Sequence, residues 1–304
     1  MNNPSRLASL AATLALVPIT SAACAQSGQG DPAFETLSAS ETRYNRVVQS
    51  IYGTPEQRSA TEELLFFKVQ QAISGCMRGE GAKYAITKFS GIARFSLTAP
   101  GDLTAFAPLS DDFGVADRLA QLAADGEPTN REFSSLTDKG RDEYLRALEG
   151  CQNAGQQFQG QSMPAGHDDL ANRLIDALSK VERSAEVTAA LAKYPACLAE
   201  RSVKAPDWSA LYLSVEKSFP PTPSAPTDVT KDPQWLKARE YEQRAAAADA
   251  ECRSETREIA IIAAAPVLAR FERDNAAALK GIGVHWSEAE AEVITMRQSL
   301  NAGD

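Results

Sequence analysis

An all-α fold follows from three features of this chain. Apolar residues recur at three- and four-residue spacing over most of its length, helix-starting signatures precede those runs, and extended pieces are confined to 84–110. Thr54-Pro55-Glu56-Gln57 supplies a capping residue, a proline at the first helical position and a glutamine where a capping box needs it. The run behind it brings Leu65, Val69, Ala72, Ile73, Cys76 and Met77 to one face, and Gly79 and Gly81 mark its end. A short amphipathic segment, Tyr44 to Tyr52, precedes it.

Tyr84 to Thr87 and Ala93 to Thr98 read as short extended pieces, with turns at Pro100-Gly101 and Pro108. Helices are expected again at 115–124 and 138–158, the second aligning Tyr144, Leu145, Leu148 and Cys151 on one face. A Gly/Gln-rich break follows at 155–166. Leu170, Leu174, Leu178 and Val181 mark the next helix, and 187–201 another, with Pro195 imposing a kink or restart. Four prolines within 220–226 make 219–233 an extended loop. A long helix is expected from Gln234 to about Lys280, solvated and charge-alternating as far as Glu258 and apolar thereafter. Gly281 and Gly283 would stop it, and Ser287 would cap a last helix to Leu300.

The amino terminus reads as an export signal. Arg6 is the only charge in residues 1–25, Leu7 to Thr20 is an almost unbroken apolar run, and Ser21 to Gln26 is a small-residue processing region. The apolar run is shorter than the roughly 20 residues a spanning helix needs. Cleavage before Gln26 would discard Cys24; alternatively Ser21-Ala22-Ala23-Cys24 is a permissive lipobox and Cys24 is the lipidation candidate. Residues 26–40 would then be a flexible tether, 41–160 an N-terminal helical half, and 165–304 a C-terminal one. The expected location is extracytoplasmic: secreted, periplasmic, or lipid-anchored at the outer face of the membrane.

Net charge is −9, and losing Arg6 makes the mature chain one unit more acidic. With no Lys/Arg cluster along the sequence, nucleic acid is not an expected partner. No later segment is apolar enough to be a transmembrane helix, which leaves an envelope component or protein as the expected partner. Four cysteines remain in an oxidising compartment: Cys76, Cys151, Cys197 and Cys252. They lack Cys-x-x-Cys spacing, and His167 and His285 lie far from them in sequence, so disulfides are favoured over metal and no cofactor is expected. Four cysteines allow three connectivities. Cys76 and Cys197 each end a helix, and Cys151 and Cys252 each follow on Ala-rich charged helices. That repeated order favours Cys76–Cys151 and Cys197–Cys252, giving a helical bundle of two stapled halves.

The segments Cys76-Met77 with Gly81 and Tyr84, Gly150-Cys151, Tyr194-x-x-Cys197-Leu198 and Asp249-x-x-Cys252 resemble a family of uncharacterised exported or lipid-anchored α-helical proteins of actinobacteria. Repeated Cys-Met-x-x-x-Gly segments mark that family. The chain departs from the pattern at Ala82, Tyr194, Leu198 and Ser202. The resemblance would cover about residues 40–275 and implies an envelope location, with no activity attached.

Motifs for catalysis are sparse. No G-x-S-x-G, H-E-x-x-H, Walker A or G-x-G-x-x-G occurs. Ser214-Val-Glu-Lys217 fits S-x-x-K without its companion motifs and reads as an exposed helix end. His167-Asp168-Asp169 reads as a helix start, Asp111-Asp112 as a turn, and His285-Trp286 as an aromatic docking the last helix, with a pocket lining as the other use. The expected function is therefore non-catalytic extracytoplasmic binding, with no catalytic residues assigned. The alternative is an envelope hydrolase with dispersed acids. A tight cleft holding perturbed carboxylates or a histidine would point to the hydrolase, and a broad exposed apolar surface to the binding protein.

Overall fold

The computed structural model describes residues 36–86, 89, 100–125, 131–158, 163–223 and 227–301. The signal region, Cys24, most of the expected tether and the extended piece at 93–98 lie outside these. Among the described residues there are helices and no strands. The helices are α1 (Leu37–Tyr52), α2 (Pro55–Gly79), α3 (Val115–Asp125), α4 (Arg131–Ser134), α5 (Asp138–Gln156), α6 (His167–Glu182), α7 (Ala185–Leu191), α8 (Tyr194–Glu200), α9 (Trp208–Ser218), α10 (Pro233–Asp274) and α11 (Ala276–Asn301). Single 3-10 turns occur at Pro100–Asp102, Thr104–Phe106 and Val229–Lys231.

Local chemistry explains most helix boundaries. Thr54 accepts from the Gln57 amide while Gln57 returns a bond to the Thr54 amide, completing the expected capping box. Pro195 falls in the first turn of α8, so the expected restart is a break between α7 and α8. Asp207 and Asp232 cap α9 and α10 through their side chains. Two expectations are corrected. The tether was expected to reach residue 40, but Thr36 caps α1, whose first turn already buries Ser40. Gly281 and Gly283 do not stop the long helix; both lie inside α11, and the break comes at Asn275. There the Asn275 amide N–H and side-chain Nδ2 both donate to Phe271 O, ending the ladder of α10.

The 42 residues of α10, roughly 63 Å long, form the spine. Its carboxyl-terminal half packs with α1, α6, α7 and α11 around Leu174, Leu178, Ile261, Leu268 and Trp286. Its amino-terminal half packs with α3, α8 and α9 around Phe113, Leu198, Leu211, Val215 and Trp235. Pro266 sits inside α10 without ending it. A proline there costs about 3 kcal/mol, and the burial of Ala264, Ala265 and Leu268 beside it offsets that cost.

On the flank, α2 lies between α11 and α5. It buries Ala60 and Leu64 toward α11, and Ile73 and Met77 toward α5. The sequence pattern showed only the second face.

Both disulfides join the expected partners, Cys76–Cys151 across α2 and α5, and Cys197–Cys252 across α8 and α10. Each staple closes within one half of the sequence. The core nevertheless does not divide near residue 160: α1, from the first half, packs on α10, and α2 packs on α11. The described residues form one compact unit.

Candidate functional site

Charged residues buried along α10 constitute the largest departure from the sequence reading. The region to Glu258 was expected to bury little besides alanines and Cys252. Instead Glu242, Asp249, Arg253 and Arg257 are buried in line with Trp235, Ala238, Ala245, Ala246 and Ala260. The spacing is helical throughout, so these four belong to the core stripe.

Their partners lie mainly in the irregular segment 104–116. Arg253 Nε donates to Asp249 Oδ1 at 2.8 Å, and Nη2 reaches Asp249 Oδ2 at 2.5 Å. The other donors meet Thr104 O at 3.1 Å, Ala107 O at 2.5 Å and Pro108 O at 2.9 Å. All five N–H groups of the guanidinium are thereby used. The Tyr194 hydroxyl donates to Asp249 Oδ1 at 2.7 Å. Burial, and then the Asp249 charge, holds this phenol far above its ordinary range. Arg257 donates to Phe106 O at 3.2 Å and lies over the Tyr44 ring, 5.2 Å from its centroid. Burial pushes the Tyr44 phenol up to about 12.

Two acids complete the clamp. Glu242 accepts from the Val115 and Ala116 amides at 2.7 and 2.9 Å, serving as an N-terminal cap of α3 supplied by a distant helix. Burial is the main cause that pushes this carboxyl up to about 7; the two amides oppose it and nearby Asp112 reinforces it. Glu182 accepts from the Ala105 amide at 2.9 Å, and burial raises its carboxyl above the usual range. These raised acids hold backbone in place, and neither lines one of the clefts described below.

The residues singled out from sequence are dispersed. Asp112 makes a turn, accepting from the Gly114 amide at 2.6 Å. Asp168 and Asp169 stand in the first turn of α6, which starts at His167 as expected, while Gly166 holds the capping position. His167 is buried, with Nδ1 2.9 Å from Asp168 Oδ1 and its ring edge-on to Tyr52. Ser214 donates to Leu211 O at 2.7 Å and lies 3.0 Å from the Tyr241 hydroxyl, engaged without Lys217. Among the described residues, no group of three or more His, Cys, Asp or Glu side chains is placed to hold a metal ion.

His285 and Trp286 serve both uses considered for them. Trp286 is 1% exposed and docks α11, its indole N–H donating to Ile51 O at 3.3 Å. His285, one position earlier, lines a cleft of about 530 Å³ between α2 and α11. Leu64, Leu65, Met163 and Ala289 supply apolar walls; Lys68, Glu288 and Glu292 supply charge. Lys68 and Glu292 pair across the cleft at 2.9 Å. His285 Nε2 is buried without a hydrogen-bond partner. A cleft of this size, with apolar walls and a few polar groups, suits a small ligand or a segment of a partner. No family model, no curated protein and no solved structure matches the chain. The functional reading therefore rests on this geometry.

Proposed function

We propose that this protein is a non-catalytic binding protein of the cell envelope that receives its ligand in the α2–α11 cleft. The observation carrying this reading is the contrast between the two sets of ionisable groups. The strongly buried Asp249, Arg253 and Glu242 are consumed in holding the 104–116 segment. His285, one of the residues lining the cleft, keeps a buried ring nitrogen without a hydrogen-bond partner. A ligand that draws the His285 ring toward the cleft and hydrogen-bonds this nitrogen would satisfy a polar group whose isolation is costly in the free protein.

Location is part of the same proposal. The amino-terminal signal, the two disulfides and the resemblance around Cys76, Cys151, Cys197 and Cys252 support export. No helix among the described residues is long and apolar enough to cross a membrane. The mature chain would begin at Gln26, or at an acylated Cys24 that tethers it to lipid.

The histidine also gives the hydrolase reading its one supporting observation. Both readings meet in a single experiment: cell-surface crosslinking of the wild-type protein and of His285→Ala, followed by mass analysis of the adducts. Binding predicts a defined adduct, recovered chemically unaltered and diminished severalfold by the substitution. An adduct of equal yield in His285→Ala would contradict the cleft assignment. A cleaved ligand found only with wild-type protein would replace binding with hydrolysis.

A further inference from the structure

A second cleft, of about 680 Å³, opens between α6 and the carboxyl-terminal half of α10. Its lining carries four cations, Arg173 and Lys180 from α6 and Arg270 and Arg273 from α10, against one anion, Asp274. Ala177, Pro266, Val267 and Phe271 contribute apolar surface between them. The cations come from opposite walls of the same opening, since α6 and α10 pack against each other there.

Structural duties account for only part of this charge. Arg173 is engaged, donating to Asn275 Oδ1 at 2.7 Å and pairing with Asp169 at 2.5 Å. Lys180 and Arg273 lie in the last turns of α6 and α10, where a cation offsets the helix dipole. Arg270 has neither duty. Lys180, Arg270 and Arg273 have no carboxylate partner among the described residues.

The concentration of positive charge is notable on a chain whose net charge is −9. A dissolved anion is repelled by most of this surface and attracted here. Several unpaired cations exceed what one carboxylate would neutralise. A phosphate ester, with up to two negative charges and several acceptor oxygens, meets both arginines and the lysine.

We infer that this cleft binds a phosphate ester carrying an apolar body: the phosphate lies among Lys180, Arg270 and Arg273, and the body lies over Ala177, Val267 and Phe271. The site is distinct from the α2–α11 cleft and does not depend on it. A soluble phosphate ester and a phospholipid headgroup present the same chemistry, so both enter the test.

The test uses the unacylated mature protein beginning at Gln26 with two probes, phenyl phosphate in calorimetry and phosphatidylcholine vesicles with or without phosphatidylglycerol in flotation. Binding of either probe is expected at low salt, weakening as salt rises. Phenyl phosphate binding would mark a soluble ligand; flotation only with phosphatidylglycerol would mark the headgroup. Lys180→Gln/Arg270→Gln/Arg273→Gln should weaken binding at least about tenfold, the equivalent of about 1.4 kcal/mol. These side chains are exposed and pair with no carboxylate, so the unfolding midpoint should fall only slightly, through the lost dipole interaction of Lys180 and Arg273. Ala177→Trp is the second variant; it fills the apolar floor while keeping every charge, and should also weaken binding. Failure of both probes to bind wild-type protein would overturn the inference. Unchanged binding in both variants, or equal affinity for succinate, would do the same.

Discussion

Arg253 donates all five of its N–H groups inside the protein, two to Asp249 and three to carbonyls of 104–108. Replacing it with Met leaves the buried Asp249 carboxylate with the Tyr194 hydroxyl as its one remaining donor and strips Thr104 O and Pro108 O of theirs, while Ala107 O keeps only the longer bond from Arg257. The expected loss is about 3–5 kcal/mol, read as a lowered midpoint in chemical unfolding; a loss below about 1 kcal/mol would mean the pair behaves as a surface ion pair.

Glu242 ties stability to pH. Its carboxyl is raised from an ordinary 4.5 to about 7, so between these values the folded state binds more protons than the unfolded state. Stability should therefore be highest at and below about pH 4.5 as far as this group is concerned, and should fall as pH rises through about 7. Glu242→Gln should flatten unfolding free energy across that interval even if it lowers the whole curve. An unchanged slope would contradict the assignment. Neither residue was legible as buried in the sequence. An Asp–Arg pair four residues apart on a helix has the same spacing whether it faces water or the core. The alternating charges of 237–258 resemble a solvated face. The available signal was the register of these charges with Trp235, Ala245, Ala246 and Ala260.

Helix boundaries were more legible, because caps are local. Thr54 with Gln57, Pro195 at the start of α8 and Tyr144 with Cys151 on one face of α5 all depend on residues within a few positions of each other. The α10–α11 break was misplaced because the Asn275 side chain that turns back on Phe271 O is itself held by a tertiary contact. Arg173 of α6 donates to Asn275 Oδ1, while Gly281 and Gly283 have open space around them and remain helical. Gly53, between α1 and α2, illustrates a constraint invisible in one dimension. Its φ of 74° and ψ of 162° form a region reserved for glycine, and a Cβ there would meet the Trp286 ring at 3.1 Å. Gly53→Ala should cost about 1–3 kcal/mol and shift Trp286 fluorescence, since the α1–α2 turn and α11 must separate. Wild-type stability with an unaltered emission maximum would show that the turn does not seat the indole.

At the scale of the whole molecule, the two staples have different tasks. Cys197–Cys252 joins α8 to the spine inside the cluster around Leu198, Tyr194 and Trp235. Cys76–Cys151 joins α5 to α2, and the main packing of α5 is against α2 alone. Close approach there is set by Gly155, where a Cβ would lie 2.8 Å from Val69 Cγ1.

In the chain-entropy model, each loop corresponds to about 4 kcal/mol. Cys76→Ser/Cys151→Ser should release α5 locally, raising amide exchange over 138–156 while the spine stays protected. Cys197→Ser/Cys252→Ser should lower protection along the whole of α10. Equal effects of the two variants on α10 would contradict this division. The cysteine order in the sequence disclosed the pairing, because each staple closes within its own half. It could not disclose that the halves share one core, since the contacts of α1 with α10 and α2 with α11 join residues more than half the chain apart.

The central claim is that the α2–α11 cleft receives a ligand. The most direct measurement places a photo-reactive amino acid at Leu65 or Glu288 in the cleft, and at the exposed Leu145 or Leu213 elsewhere, in protein exported by living cells. The account predicts the same adduct mass from both cleft positions and none from Leu145 or Leu213. Adducts of equal yield from all four positions, or none from the cleft, would contradict it.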